Sequence, residues 1–132
     1  MNTKTDKIKA RKITIDCAEG PNFLQGPKTT SSFEEADHLL YQIAEHGPDI
    51  GYYKTDFSIT FEDGTVYEGR FDVYRWDRER PDLRKHVREF VEFYAGLRKP
   101  ARLTDKQYQT IIQRSGPDGQ SQHKAFLENY EV

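Results

Sequence analysis

Apolar residues recur along this chain in two periods. Near the start, Ile13, Ile15 and Cys17 alternate with Thr14 and Asp16. Period-two alternation predicts a short strand with one buried face. Gly20-Pro21 ends it, and a loop carrying Gly26-Pro27 follows. The period then lengthens: Phe33, Ala36, Leu39, Leu40, Ile43 and Ala44 fall on one stripe of a helix. Ser32 with Glu35 three residues on forms a capping box at its start, with Ser31 and Glu34 as the competing register. Gly47-Pro48 stops the helix, and Gly47 is expected to take the left-handed position past its end.

The strongest local signal is a hairpin. Phe57, Ile59 and Phe61 alternate with Ser58 and Thr60; after Asp63-Gly64, Tyr67, Gly69, Phe71 and Val73 alternate with Glu68, Arg70 and Asp72. A two-residue Asp63-Gly64 loop would set Phe57, Ile59 and Phe61 on the face of Glu68 and Arg70, mixing charge into the apolar side. A three-residue Glu62-Asp63-Gly64 loop, with Gly64 left-handed at a bulge, instead pairs Phe61 with Thr65 and Ile59 with Tyr67. Phe57 then lies over Gly69, and all the large apolar groups share a face.

A second helix is predicted from about Pro81 to Ala95, with Pro81 in its first turn, Asp82 at its positive end, and Leu83, Val87, Phe90, Val91 and Tyr94 as its buried stripe. Gly96 ends it. Thr104 opens a third helix, closed into a capping box by Gln107 and stapled by Leu103 and Tyr108; Ile111 and Ile112 complete its apolar face. Residues 115–121 read as a linker, and Ala125, Phe126, Leu127 and Tyr130 form either a short helix or a loose tail. The order β-α-β-β-α-α makes an α+β fold: a small antiparallel sheet of about three strands around a central hairpin, packed by two to three helices. The expected division is a flexible tail at 1–7, one domain over 8–114, and a linker and tail at 115–132.

Composition adds three points. Hydrophobic residues are 35% of 132, so eight Phe, eight Tyr and one Trp must supply much of the core. The net charge of −2, with signs well mixed, announces no nucleic-acid binder. The local excesses are basic: Lys4 to Lys12, and Arg75 to Arg88. A lone cysteine, Cys17, excludes an internal disulfide and fits a reducing compartment, and no apolar run is long enough for a membrane span, so a cytoplasmic protein is expected.

Candidate chemistry is sparse. His38, His46, His86 and His123 lack metal-ligand spacing to one another or to Cys17. His86 and Asp82 lie four apart on one helix, where a solvated pair is the simpler reading. Cys17 has no neighbouring base in sequence and reads as a small buried hydrophobe. There is no phosphate loop, nucleophile elbow or dinucleotide fingerprint. No catalytic residue, metal or cofactor is therefore expected. The segment Arg75-Trp76-Asp77-Arg78-Glu79-Arg80 stands out, because arginine and tryptophan are enriched at protein interfaces. Asp77, Glu79 and Asp82 interrupt it and would repel a phosphate backbone.

Gly51-Tyr52-Tyr53-Lys54-Thr55-Asp56-Phe57, the Asp63-Gly64 turn, Tyr67-Glu68-Gly69-Arg70 and Phe93-Tyr94-Ala95-Gly96 together resemble the pattern of a large polyvalent protein-associated domain, over roughly residues 8 to 112. The resemblance implies mobile genetic elements of phages and plasmids as the setting, and interference with host defence as a role; it brings no catalytic residue. The leading expectation is a non-enzymatic module that binds a protein through Arg75, Trp76, Arg78 and Arg80, with Tyr52 and Tyr53 as secondary contacts. Nucleic-acid binding through the basic segments comes second. An enzyme assembled around His86, Asp82 and Tyr94 comes third. A homodimer through the hairpin's edge strand stays open, because unblocked edges pair.

Overall fold

The computed structural model describes residues 7–114 and 119–132. Four strands, β1 (Ala10–Asp16), β2 (Pro27–Thr30), β3 (Tyr52–Phe61) and β4 (Val66–Tyr74), form one antiparallel sheet in the order β2-β1-β3-β4. The helices are α1 (Phe33–Glu45), α2 (Leu83–Tyr94), α3 (Asp105–Arg114) and α4 (Gly119–Asn129). The fold is α+β as expected, with one strand and one helix more than the sequence pattern revealed.

The extra strand is β2, where a loop was expected. Pro27, Lys28, Thr29 and Thr30 offer no apolar alternation; β1 supplies the order by pairing Ile13 with Thr30 and Ile15 with Lys28. The Thr14 and Thr29 hydroxyls hydrogen-bond across the pair at 3.1 Å. Proline is tolerated at Pro27 because it begins an edge strand, where a missing N–H costs little.

The hairpin takes the three-residue loop. Phe61 N–H donates to the Thr65 carbonyl at 2.8 Å and Gly64 N–H to the Phe61 carbonyl at 2.9 Å, with Gly64 at φ +88°. Ile59 faces Tyr67 and Phe57 faces Gly69. Phe57, Ile59, Phe61, Phe71 and Val73 are all buried on one face, with Ile13, Ile15 and Cys17 of the β1 edge of the core beside them. The opposite face carries Thr14, Asp56, Ser58, Glu68 and Arg70 and is open to solvent.

Helix ends follow their local chemistry. Ser32 Oγ accepts from Glu35 N–H at 3.1 Å, while the Ser31 hydroxyl donates to the Glu35 carboxylate, so both serines serve the same start. Gly47, however, is not among the positive-φ glycines. Its lack of a side chain is explained by crowding: a Cβ would sit 3.1 Å from the Ala44 carbonyl oxygen and 3.8 Å from the Arg75 backbone. Asp82 caps α2 by accepting from Lys85 N–H at 3.1 Å, which leaves Pro81 ahead of the cap and outside the first turn where it was expected. Asp37 of α1 reaches across to accept from Leu83 N–H at 2.8 Å, joining the two helices at an orphan donor of α2. At α3, Thr104 and Gln107 exchange the two hydrogen bonds of the predicted capping box, at 2.8 and 3.1 Å.

The fourth helix closes the far end of the core. Phe126 is buried, edge-on to Phe61 with centroids 5.4 Å apart and stacked on Tyr67 at 4.1 Å. Beyond it, Tyr130 forms a parallel bridge with Ile8: Ile8 N–H donates to Asn129 at 2.9 Å and Glu131 N–H to Ile8 at 2.8 Å. Residues 1–6 of the expected tail at 1–7, and residues 115–118 of the expected linker, lie outside the described residues.

Candidate functional site

The residues singled out in the sequence converge on one end of the sheet but divide in use. The hairpin register places Tyr52 opposite Tyr74 on the open face, with ring centroids 5.3 Å apart. Trp76 lies flat on Tyr74, at 4.3 Å and an interplanar angle of 9°. Trp76 is nonetheless 66% exposed. The three rings make a continuous aromatic run ending in a solvent-facing indole. Tyr74, its middle member, went unremarked in the sequence; extending the pairing of Phe57 with Gly69 to the strand ends finds it opposite Tyr52.

A 3-10 turn over Arg75–Arg78 holds the indole in place. Asp77 anchors it: one carboxylate oxygen accepts from Tyr74 N–H at 2.8 Å, and the other lies 3.7 Å from His86 Nε2. Burial raises the Asp77 carboxyl, but the contacts from His86 and the Tyr74 N–H outweigh it and leave the group below its ordinary range. Arg75 points back toward the fold, donating to the Gly47 carbonyl at 3.3 Å and pairing with Asp49 at 2.8 Å. Arg78 donates to the Arg75 carbonyl at 3.4 Å. Arg80 is exposed. Tyr53, on the opposite side of β3 from Tyr52, packs against the core and donates its hydroxyl to the His46 carbonyl at 2.9 Å. Trp76, Tyr52 and Arg80 thus face solvent, while Arg75, Arg78 and Tyr53 are engaged in holding the turn and the sheet end.

Beside the rings runs a groove of about 810 Å³, bounded by the β4 edge, by α2 and by the loop from Arg98 to Ala101. His86 stacks on Phe71 in it, with centroids 4.7 Å apart. The three suspects for an enzymatic site are not gathered there. Asp82 is used as a helix cap, and Tyr94 sits against His123 at 5.5 Å. The His86–Asp77 pair could shuttle a proton, yet the groove lining holds no serine, threonine or cysteine to activate. Cys17 is buried elsewhere. Among the described residues no three His, Cys, Asp or Glu side chains cluster as a metal site, and no helix is long and apolar enough to cross a membrane.

A second polar cluster lies in the core wall. The Tyr67 hydroxyl and His123 Nδ1 are hydrogen-bonded at 2.7 Å. Burial, and then the nearby Tyr94, raises the Tyr67 phenol, so it stays protonated. Burial lowers His123 below its ordinary 6.5. The neutral imidazole is therefore the form that suits the fold. A depressed histidine contributes stability that is complete above the unfolded value and declines as pH falls from about 6.5 toward the folded value. We expect the urea midpoint of the wild-type chain to drop as pH falls below about 6.5. The drop should shrink in His123→Gln; an unchanged profile in that variant would assign the loss to another group.

The architecture defines a class: an α+β domain with one helix-covered and one open sheet face, whose distinctive surface is an exposed aromatic run. The chain belongs to the family described as large polyvalent protein associated domain 25, whose model matches residues 6–106. No curated protein and no solved structure matches it.

Proposed function

We propose that this chain is a non-enzymatic protein-interaction module of a mobile genetic element, which binds a host or element protein through the surface around Trp76. A host defence component is the first partner to test. The observation that supports this reading is the exposed indole fixed flat on Tyr74. A large apolar ring already held in one orientation loses little freedom on docking, which is what an interface anchor requires. The neighbouring cations favour protein over nucleic acid. Arg75 is paired with Asp49, Arg70 with Asp56, and Arg98 with Glu89 and Glu92. Few positive charges are left to replace counterions along a phosphate backbone.

Affinity capture from host extract, with wild-type and Trp76→Ala chains immobilised side by side, tests the reading. Loss of an anchor of this kind costs about 2 kcal/mol, or roughly thirtyfold in affinity. Partners recovered equally by both chains would show that the aromatic run is not the contact. A mobility shift that vanishes steeply with added salt would favour nucleic acid instead.

A further inference from the structure

The last helix is held to the body more lightly than the first. Among the described residues, α1 buries five side chains and α4 buries one, Phe126. An element with so few buried apolar contacts opens locally, at a free energy below that of global unfolding. Three residues before Phe126, His123 makes the second contact with the interior. Its Nδ1 lies 2.7 Å from the Tyr67 hydroxyl, and its ring meets those of Tyr94 and Tyr67 at 5.5 and 5.7 Å. Tyr67 belongs to β4 and Tyr94 to α2, so one half-buried imidazole touches both elements beneath the helix.

This cluster makes no provision for a positive charge. β4 and α2 each present a phenol to His123 and not a carboxylate. On α4 itself the positions three and four residues away are Gly119, Gln120, Phe126 and Leu127, all uncharged. Among the described residues no carboxylate pairs with His123. A half-buried imidazolium without an acidic partner is disfavoured, and burial lowers the histidine accordingly. The far end of the helix is fastened by different chemistry. Tyr130, whose N–H donates to the Phe126 carbonyl at 3.0 Å, gives its hydroxyl to the Asp63 carboxylate at 2.7 Å. That bond and the one from the Thr65 N–H keep the Asp63 carboxyl below its ordinary range. A depressed carboxyl keeps its contribution until pH falls through its folded value, so this end stays fastened through mild acid.

We propose that α4 is an acid-released latch: protonation of His123 lifts the first half of the helix off Tyr67 and Tyr94, while Asp63 keeps its far end fastened through Tyr130. The opening is one-sided because the two attachments answer acid differently. The imidazole contact is lost on gaining a proton, and the carboxylate contact is not yet reached. Release bares the rings of Tyr67 and Tyr94 beside the hairpin. Tyr67 pairs with Ile59 near the turn, whereas Trp76 follows Tyr74 at the other end of the same strand. The latch is therefore independent of the interaction reading above, and neither stands or falls with the other.

Hydrogen exchange on the whole chain, corrected for the intrinsic pH dependence of amide exchange, tests the latch. The amides of His123, Lys124 and Ala125 are the first in α4 with acceptors inside the helix. Their opening should rise about tenfold for each pH unit below the folded His123 value, while the Tyr130 amide and those of β3 stay protected. His123→Gln can still bond the Tyr67 hydroxyl but cannot take the charge, and its α4 should show no such rise. Asp63→Ala removes the fastening at the other end, so the Tyr130 amide should open in the same acid step. The imidazole signals of the wild-type chain give a second reading, and they decide the matter if His123→Gln does not fold. The proposal fails if His123 titrates at or above its ordinary 6.5. It fails if the α4 amides ignore pH, or if His123→Gln keeps the response. Loss of β3 protection in step with α4 would make the event global unfolding and overturn the latch. Continued protection of Tyr130 in Asp63→Ala would overturn the one-sided opening.

Discussion

Phe61→Ala is expected to cost about 3–5 kcal/mol of stability, the range for emptying a fully buried aromatic site. Phe61 has no exposed surface. It ends β3, pairs with Ala10 of β1, and meets Phe126 edge-on at 5.4 Å and Tyr130 at 4.7 Å. One ring thus joins the sheet to the last helix and to the segment after it. The vacated volume cannot be refilled cheaply, because its neighbours are rigid rings. Urea denaturation measures the loss. Hydrogen exchange should show α4 amides losing protection before those of β3. A cost below about 1 kcal/mol, or uniform loss of protection, would mean that α4 does not depend on this contact.

Gly69→Val is expected to be the other severe change, for the opposite reason. A Cβ at Gly69 would lie 2.6 Å from two atoms of the Phe57 ring and 2.8 Å from Phe90 Cε1. Side-chain ends can move when free, but Phe57 is buried between Tyr67 and Phe71, whose centroids lie 6.2 and 6.1 Å away. Overpacking of this kind costs about 1–3 kcal/mol for modest additions, and valine adds two more methyl groups beyond the Cβ. Denaturant midpoints of Gly69→Ala and Gly69→Val should fall in that order. Phe57→Leu should restore part of the loss in the Gly69→Ala background, since it removes the atoms that collide. Failure of that rescue would place the strain elsewhere.

Much of the fold was legible because its signals are local. The hairpin register followed from keeping Glu68 and Arg70 away from Phe57 and Ile59, and the caps at Ser32 and Thr104 followed from residues three apart. The family resemblance, carried by the same hairpin, is matched over residues 6–106. What stayed hidden depends on partners distant in sequence. β2 has no apolar pattern of its own and exists because β1 offers it a ladder. The last helix shows few apolar positions, and Phe126 finds its burial against residues of the hairpin. At the site, the inward use of Arg75 could not be read from its basic segment, since its acceptors are Gly47 and Asp49. The separation of Tyr52 from Tyr53 was available in principle: neighbours on a strand point to opposite faces.

The bridge between Ile8 and Tyr130 has a consequence for how this domain can be carried. A polypeptide that enters and leaves a fold at the same point can be spliced into a surface loop of another protein, whose two loop ends then stay close together. The host's chain is interrupted without being stretched. The aromatic run belongs to the inserted body, so it travels with it unchanged, and new termini made at the Asp63-Gly64 turn should yield a permuted chain with the same surface.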